Sequence, residues 1–312
     1  MSRPHTGRRA LALAALCFLA CRGSPALSQE GGIEVFAAET LFDQGFRISQ
    51  SHLYQRSGEL YSGSSRIGDA QDRVFQEHRS VTGIDYGILP GLTLSALLPV
   101  VYKQQEQLSG GGRETLESSG LGDIAFLGKY RIYKRDWKRG AFQFAAISGL
   151  EMPTGATNAR HDGARLSPSL QPGSGSWDPF AALSTNLNLD RLRFDGILFF
   201  KANTEGSQDF ADGDFFAAEV DAAYRFWHTK YPGPTASAKL GVQWRHQERA
   251  EANGRGIANS GSDETVLRAG LTFHPVPGMD LTLSMDVPVY RDLNGQQLGR
   301  DFRTFLALGF RF

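Results

Sequence analysis

Apolar and polar residues alternate with a period of two along most of this chain. In the last twelve residues, Phe302, Leu306 and Phe310 fall on one face of an extended segment. Arg303 and Arg311 fall on the opposite face. Because successive side chains of a strand point to opposite sides, this alternation predicts strands with one apolar side and one polar side.

The alternation predicts twelve strands, separated by connections of two kinds. The strands are predicted at residues 44–56, 74–89, 91–105, 120–134, 140–152, 175–189, 191–203, 213–228, 234–249, 263–275, 279–291 and 299–312. Short turns are predicted at residues 89–91, 135–139, 189–191, 229–233 and 275–278. Longer polar or glycine-rich loops are predicted at residues 57–73, 106–119, 153–174, 204–212, 250–262 and 292–298. Alternating short periplasmic turns and long extracellular loops are typical of outer-membrane barrels, and the even strand count places both termini in the periplasm.

The length of the strands favours a membrane barrel over a soluble sheet. Predicted spans of roughly 12 to 16 residues exceed the usual five or six of soluble sheets and suit tilted strands that cross a bilayer. In hydrocarbon an unpaired backbone group costs several kcal/mol, so a spanning sheet must close on itself. We therefore predict an all-β, transmembrane, antiparallel up-and-down barrel over residues 44–312. A soluble sandwich or lipocalin-like barrel is the alternative.

The first 28 residues have the order of features found in secretory signal peptides. Three arginines, at positions 3, 8 and 9, precede the unbroken apolar run Ala10–Ala20. Ala26–Ser28 places small residues at a cleavage site before Gln29. Eleven apolar residues are too few to span a bilayer, which needs about 20. The prediction is a cleaved signal peptide over residues 1–28, with a membrane anchor or a lipoprotein processed at Cys21 as alternatives.

The segment between the signal peptide and the first strand, residues 29–43, contains several apolar side chains. They include Ile33, Val35 and Phe36. Two interpretations stay open from the sequence, namely a periplasmic tail and a plug that enters the lumen.

Composition supports a barrel and excludes other classes. The chain has 36 glycines and 21 phenylalanines, yet its mean hydropathy is −0.30. Residues 1–28 contain four of the 33 basic residues and none of the 33 acidic ones, so the mature chain carries a net charge of −4. This charge argues against a nucleic-acid-binding protein. Both cysteines, Cys17 and Cys21, lie in the signal peptide, which predicts a mature chain without disulfides or thiolate metal sites.

An ordered set of short motifs resembles a known family. Gly120–Asp123 opens one predicted strand, Met152–Gly155 closes the next and Gly173–Asp178 begins the one after, while Leu92–Val100 precedes them all. Over residues 42–312 this set resembles the outer-membrane transporter family named for the MetA pathway of phenol degradation. The resemblance implies an outer-membrane channel, often linked to uptake of aromatic compounds, and it supplies no catalytic residues.

Charged residues of both signs fall on the polar phase of the strands, which would line the lumen. They are Arg79, Asp85, Lys103, Asp123, Lys129, Arg131, Glu151, Arg193, Asp195, Lys201, Glu219, Asp221, Arg225, Lys239, Arg245, Arg268, Asp286, Arg303 and Arg311. Polar lumen side chains hydrate a pore and tune its selectivity. The alternative is an ion-pair network that fills a narrow barrel, because about eight strands give a filled interior and 16 to 18 an open one. The mixed signs argue against a strong ion filter.

Some apolar residues share the inward phase. They are Leu97, Val101, Ile197, Phe199 and Phe305. An apolar patch among charges would hold an aromatic ring, and local packing inside the barrel is the alternative.

A lipid-modifying enzyme and a non-conducting structural barrel are the rival functions. His52, His78 and Ser80 lie on lipid-facing positions at neighbouring strand ends, whereas Ser49 and Ser51 have the opposite phase. A serine nucleophile needs a base within about 3 Å, and no acidic orienting group stands out beside them. The sequence therefore predicts a channel rather than an enzyme.

No metal or cofactor is predicted, because the histidines lack the close spacing of zinc sites and no phosphate-binding glycine loop occurs. The expected partners are outer-membrane lipid, a small unidentified solute, and the assembly machinery that reads the C-terminal Phe312. The expected location is the outer membrane of a Gram-negative bacterium.

Overall fold

The structure is a computed structural model that describes residues 36–312, and these residues form a closed antiparallel β-barrel. The strands are β1 Phe46–Gly63, β2 Ser65–Ile67, β3 Val74–Leu89, β4 Leu92–Ser109, β5 Gly112–Leu121, β6 Ile124–Trp137, β7 Gly140–Met152, β8 Arg160–His161, β9 Ala164–Arg165, β10 Asp178–Leu189, β11 Leu192–Lys201, β12 Phe210–Ala211, β13 Phe215–His228, β14 Thr235–Gln247, β15 Glu251–Ala252, β16 Arg255–Gly256, β17 Ser262–His274 and β18 Met279–Arg311. Two single-turn 3₁₀ helices, Pro168–Leu170 and Ser207–Asp209, lie in the loops. The predicted signal peptide, residues 1–28, lies outside the described residues.

Eleven strands of the described chain close the ring in the order β1, β3, β4, β6, β7, β10, β11, β13, β14, β17 and β18, and β18 then pairs with β1. The extended segment β18 doubles back near Gly295, whose φ is +68°. Its first half pairs with β17 and its second half with β1. Arg291 donates to the carbonyl of Arg300 at 2.9 Å, whereas nine extended residues would span about 30 Å. Counted with the two halves of β18 separate, twelve strand segments, here called staves, form the wall of the barrel. The predicted fold class is confirmed.

The two faces of the wall differ as the alternation predicts. On β13, Val220 is 65% exposed, while the flanking Glu219 and Asp221 are buried inside the barrel. Leu240 on the adjacent β14 is also largely exposed, and Gln243, three residues further along the same strand, is buried. Such an apolar exterior around a polar interior suits a wall that contacts lipid outside and water inside.

Several segments that were predicted as loops belong to strands, and those predictions were wrong. β1 continues to Gly63, and β4 continues to Ser109 and pairs with β5 across the predicted loop 106–119. Gly110 and Gly111 both have positive φ, which gives the two-residue turn that a tight hairpin requires. Residues 292–298 also stay extended as the tip of β18. Where a strand extends beyond the membrane, both of its faces meet water and are polar. The alternation of apolar and polar residues that predicts a strand is therefore absent there.

The short connections and both barrel termini lie at one end, here called the turn end, which faces the periplasm in outer-membrane barrels. The backbone groups of Phe46 and Phe312 hydrogen-bond to each other there. None of the helices in residues 36–312 is long and apolar enough to span a bilayer.

Candidate functional site

The barrel encloses a chamber of about 630 Å³ that extends toward the turn end. Its lining comes from most staves of the wall and from the N-terminal segment Glu39–Leu41. The lining combines arginines, lysines and carboxylates with a smaller apolar part that includes Leu97 and Phe305. The chamber is therefore a charged cavity with apolar patches, as the inward phase of the strands requires.

The structure places every sequence-predicted lumen residue on the inner side of the wall. Thirteen are buried: Arg79, Asp85, Lys103, Asp123, Lys129, Glu151, Asp195, Lys201, Glu219, Asp221, Arg245, Asp286 and Arg303. The other six line the chamber: Arg131, Arg193, Arg225, Lys239, Arg268 and Arg311. These residues do not form one cluster but three groups, at mid-height, near the loop end and at the turn end.

At mid-height, an ion-pair network covers the wall formed by β13, β14, β17 and β18. Asp286 lies at its centre and accepts from Arg268 at 2.7 Å, from Arg303, and from Arg245 at 3.5 Å. Arg268 also pairs with Glu219 at 2.5 Å. Removing one member would leave buried charge without compensation, which costs about 3–5 kcal/mol. The network fixes this wall and narrows the lumen.

The adjacent part of the wall, on β10, β11 and β13, carries an apolar pocket into which the N-terminal segment inserts. Phe36 packs edge-on against Phe199, with ring centroids 5.5 Å apart, and against Phe180 at 6.5 Å. Phe215 follows in the same cluster, 6.2 Å from Phe199. The inward apolar residues predicted from the sequence also lie inside the barrel, namely Leu97, Val101, Ile197, Phe199 and Phe305. The pocket holds a benzene ring between other aromatic rings.

Few polar contacts hold the N-terminal segment in the lumen. The Glu39 carboxylate pairs with Arg193 at 3.1 Å, and the Glu39 carbonyl accepts from Lys129 Nζ at 3.1 Å. The backbone N–H of Leu41 donates to Thr93 Oγ1 at 2.9 Å. Residues 36–41 thus lie inside the barrel, and residues 29–35 lie outside the described part of the chain.

The long loop between β7 and β10 closes the opposite, extracellular end. Leu166 and Leu170 of this loop pack against Leu60, Phe75 and Leu298, which belong to staves on the far side of the ring. Lys103 Nζ donates to the carbonyls of residues 169 and 171 at 3.0 and 2.8 Å. The loop therefore crosses the mouth and obstructs the lumen above the aromatic pocket.

The motifs that carried the family resemblance meet where this loop leaves the wall. Asp123 Oδ1 accepts from the Gly155 N–H at 2.8 Å, and Oδ2 accepts from the N–H and Oγ of Ser174 at 2.5 and 2.8 Å. A Cβ added to Gly155 would lie 2.7 Å from Gly173 Cα. Three separate motifs thus form one structural junction, which positions the loop.

A second buried group lies next to this junction. Lys201 Nζ lies 2.5 Å from a Glu151 carboxylate oxygen and 3.4 Å from Asp178. Asp178 also accepts from the Thr204 N–H at 2.9 Å, so it ties the next loop to the wall. Sequence reasoning missed Asp178, although it ends a motif noted above and shares the inward phase of β10.

Further inward charges escaped the sequence-based selection. Arg47 pairs with Asp280 at 3.2 Å and with Asp85 at 3.6 Å, and both Arg47 and Asp280 are buried. Their signal was available, because Arg47 has the phase of Ser49 and Asp280 has the phase of Asp286.

On the lipid-facing side, the serine and histidines of the rival enzyme hypothesis do come together. His52 Nδ1 lies 3.0 Å from Ser80 Oγ, and His52 Nε2 lies 3.4 Å from His78 Nδ1. His52 and Ser80 are direct cross-strand partners of β1 and β3, which accounts for their proximity. The described residues contain no group of three or more histidine, cysteine or acidic side chains arranged to hold a metal.

A closed twelve-stave barrel with an apolar exterior and a charged interior is an outer-membrane β-barrel, as the sequence predicts. The chain belongs to the family described as "Putative MetA-pathway of phenol degradation", whose model matches residues 73–298, more than half of the chain. The family predicted from the motifs is thereby confirmed. No curated protein matches the sequence of this chain.

Several solved structures align with this chain. An outer-membrane channel from Pseudomonas putida F1 aligns with a TM-score of 0.65 and 15% identity, covering 93% of this chain and 100% of that one. The CymD monoaromatic hydrocarbon channel aligns with a TM-score of 0.40 and 9% identity, covering 87% and 89%. OpdK of Pseudomonas aeruginosa, solved with vanillate, aligns with a TM-score of 0.35 and 10% identity, covering 86% and 98%.

Proposed function

We propose that this protein is an outer-membrane channel for passive passage of small aromatic solutes, without chemistry on them. The observation that carries the proposal is the aromatic pocket in the lumen, in which the ring of Phe36 packs between Phe180 and Phe199. The family description, which refers to phenol degradation, agrees with this solute class. A solute ring that replaces Phe36 would make the same edge-to-face contacts, worth about 0.5–1.5 kcal/mol per pair beyond burial.

The proposal requires the N-terminal segment to move, because the segment and the aromatic solute compete for one pocket. Among the described residues, its polar contacts include the three of Glu39 and Leu41 given above, and each is worth only about 0.5–3 kcal/mol. Such a segment leaves and re-enters its pocket far more readily than the hydrogen-bonded strands of the wall open.

We expect Phe36→Ala to increase the conductance of the channel, because it removes the ring that anchors the segment in its pocket. The measurement is single-channel current of purified full-length protein in planar bilayers. Phe42→Ala is the matched control: Phe42 lies in the same segment, yet its side chain is 60% exposed and outside the pocket. It should conduct as the unmodified protein does.

A structural barrel without a pore predicts the opposite result. Absence of current from both the unmodified protein and Phe36→Ala, over a range of salt concentrations and voltages, would refute the channel. An equal rise in Phe42→Ala would show that the aromatic pocket is irrelevant to the increase.

The contact between Ser80 and His52 favours a second candidate, a lipid-hydrolysing enzyme. The surrounding backbone argues against it, because β3 lies between β1 and β4 and its N–H groups are committed to two ladders. No backbone donor is then free to stabilise an oxyanion, a contribution worth about 2.7–4 kcal/mol. We expect Ser80→Ala to leave lipid composition unchanged, measured by mass spectrometry of membranes from cells that overproduce the protein. Accumulation of lysophospholipid that depends on Ser80 would establish the enzyme.

A further inference from the structure

The charges inside the chamber are not balanced. Its lining includes eleven arginine and lysine side chains but only six carboxylates. A cavity with low-dielectric walls and one dominant sign of charge focuses its field into the enclosed water. The chamber is therefore electropositive, although residues 29–312 as a whole carry a net charge of −4.

Most carboxylates in the chamber are already paired with a base. Asp280 and Asp85 contact Arg47, whereas Asp195 and Glu39 contact Arg193. Asp286 belongs to the mid-height network. These pairs largely cancel locally, so the surplus charge must come from other residues.

Four arginines supply most of the surplus, and we call them the vestibule arginines: Arg131, Arg191, Arg225 and Arg311. Among the residues that the structure describes, none of the four forms an ion pair within 4 Å. They lie on β6, on the turn after β10, on β13 and at the end of β18, so they are spread around the turn end of the barrel.

Resting on the channel function proposed above, we propose that the vestibule arginines bind the carboxylate of a small organic anion as it passes through the chamber. A guanidinium presents a planar fork of donors that matches a carboxylate, and a ring of such cations selects anions in a pore. Phe305 and Leu192 line the same chamber, which gives the apolar part of an aromatic acid a surface to contact.

The first experiment is ion selectivity, measured as the reversal potential of full-length protein in a bilayer with asymmetric KCl. We expect chloride to permeate better than potassium. Changing all four vestibule arginines to glutamine should abolish this preference. The matched control changes Arg135, Lys138, Arg139 and Lys230 to glutamine, because these exposed cations lie at the same end, near the end of β6 and in turns, and do not line the chamber. The control should keep the preference.

The second experiment uses ¹⁹F NMR line broadening of 4-fluorobenzoate, with neutral 4-fluorobenzyl alcohol for comparison. We expect the protein to broaden the benzoate signal more than that of the alcohol, and the difference to disappear in the vestibule variant but not in the control variant.

The outcomes separate the two proposals. A current without anion preference, or one whose preference survives loss of the vestibule arginines, overturns the anion site and leaves the channel standing. No current at all overturns the channel, and the NMR comparison then decides the site alone. Equal broadening by the unmodified protein and the vestibule variant overturns the site in either case.

Discussion

Asp123 and the glycines around it hold the long loop between β7 and β10 in place. The carboxylate satisfies backbone donors from two segments that are far apart in sequence, at Gly155 and Ser174. Gly155 and Gly173 pass so closely that neither tolerates a side chain. Charge-assisted hydrogen bonds of this kind are roughly twice as strong as neutral ones. The junction is thus stabilised by a few hydrogen bonds and by close backbone contact rather than by burial of apolar side chains.

Gly155→Ala should therefore destabilise the barrel, because its new methyl group would overlap the backbone of Gly173 and Gly122. Overpacking of this kind costs about 1–3 kcal/mol. The measurement is the urea midpoint of unfolding in detergent, followed by the mobility shift of folded barrels on gels. Gly68→Ala is the control, since nothing lies within 4 Å of its added carbon. Equal midpoints for the two variants would contradict the role given to the junction.

At the scale of the strand, alternation determines which residue meets lipid and which meets the lumen. Val220 faces outward between two inward acids, so its position is unambiguous. Gln50 and Thr82 interrupt the apolar exterior, and so do His52 and Ser80, which face outward on β1 and β3. Their polar atoms satisfy one another across the strands: Thr82 Oγ1 donates to Gln50 Oε1 at 2.8 Å. Cross-strand pairing makes these polar positions tolerable beside hydrocarbon.

We expect Val220→Arg to destabilise the barrel by about 2–4 kcal/mol, the cost of an arginine on the lipid face near the bilayer midplane. Val220→Leu keeps the surface apolar and should leave stability unchanged. Unfolding in lipid vesicles, followed by tryptophan fluorescence, measures the difference. If arginine is tolerated as well as leucine, Val220 does not face lipid.

Strand existence and phase could be predicted from the sequence because they are local properties. The predicted spans 74–89 and 140–152 match β3 and β7 at both ends. The β4–β5 hairpin could not be predicted in this way, because above the membrane both of its faces meet water and the apolar half of the signal disappears. The same loss hid the hairpin tip of β18, which joins the two predicted strands at 279–291 and 299–312.

At the scale of the whole molecule, the positions of the two segments that obstruct the lumen could not be predicted from the sequence. Residues 36–41 and the loop after β7 reach their positions through contacts with staves that are distant in sequence, such as those of Leu170 with Leu60 and Phe75. Periodicity carries no information about such contacts. The nineteen charges predicted to line the lumen, in contrast, were selected by phase alone, and their division into paired and unpaired cations required the geometry.

Phe312 lies at the seam of the barrel, where its ring is 6.4 Å from that of Phe46, and it is 69% exposed. An exposed terminal aromatic is available to the assembly machinery. We expect deletion of Phe312 to lower the amount of folded protein in outer-membrane fractions, measured by immunoblot of unheated samples. Phe302→Ala, on the same final strand but far from the terminus, should have little effect. Normal levels after deletion would rule out recognition of this residue.

The seam between β1 and β18 pairs Arg47 with Arg311, residues separated by almost the full length of the described chain. A ribosome that stops early therefore releases a product whose ring has no final partner for β1. Such a fragment keeps two bare sheet edges, which invite pairing with other chains. Sealing of the cylinder therefore requires the last strand, and a copy that lacks this strand differs chemically from a closed one.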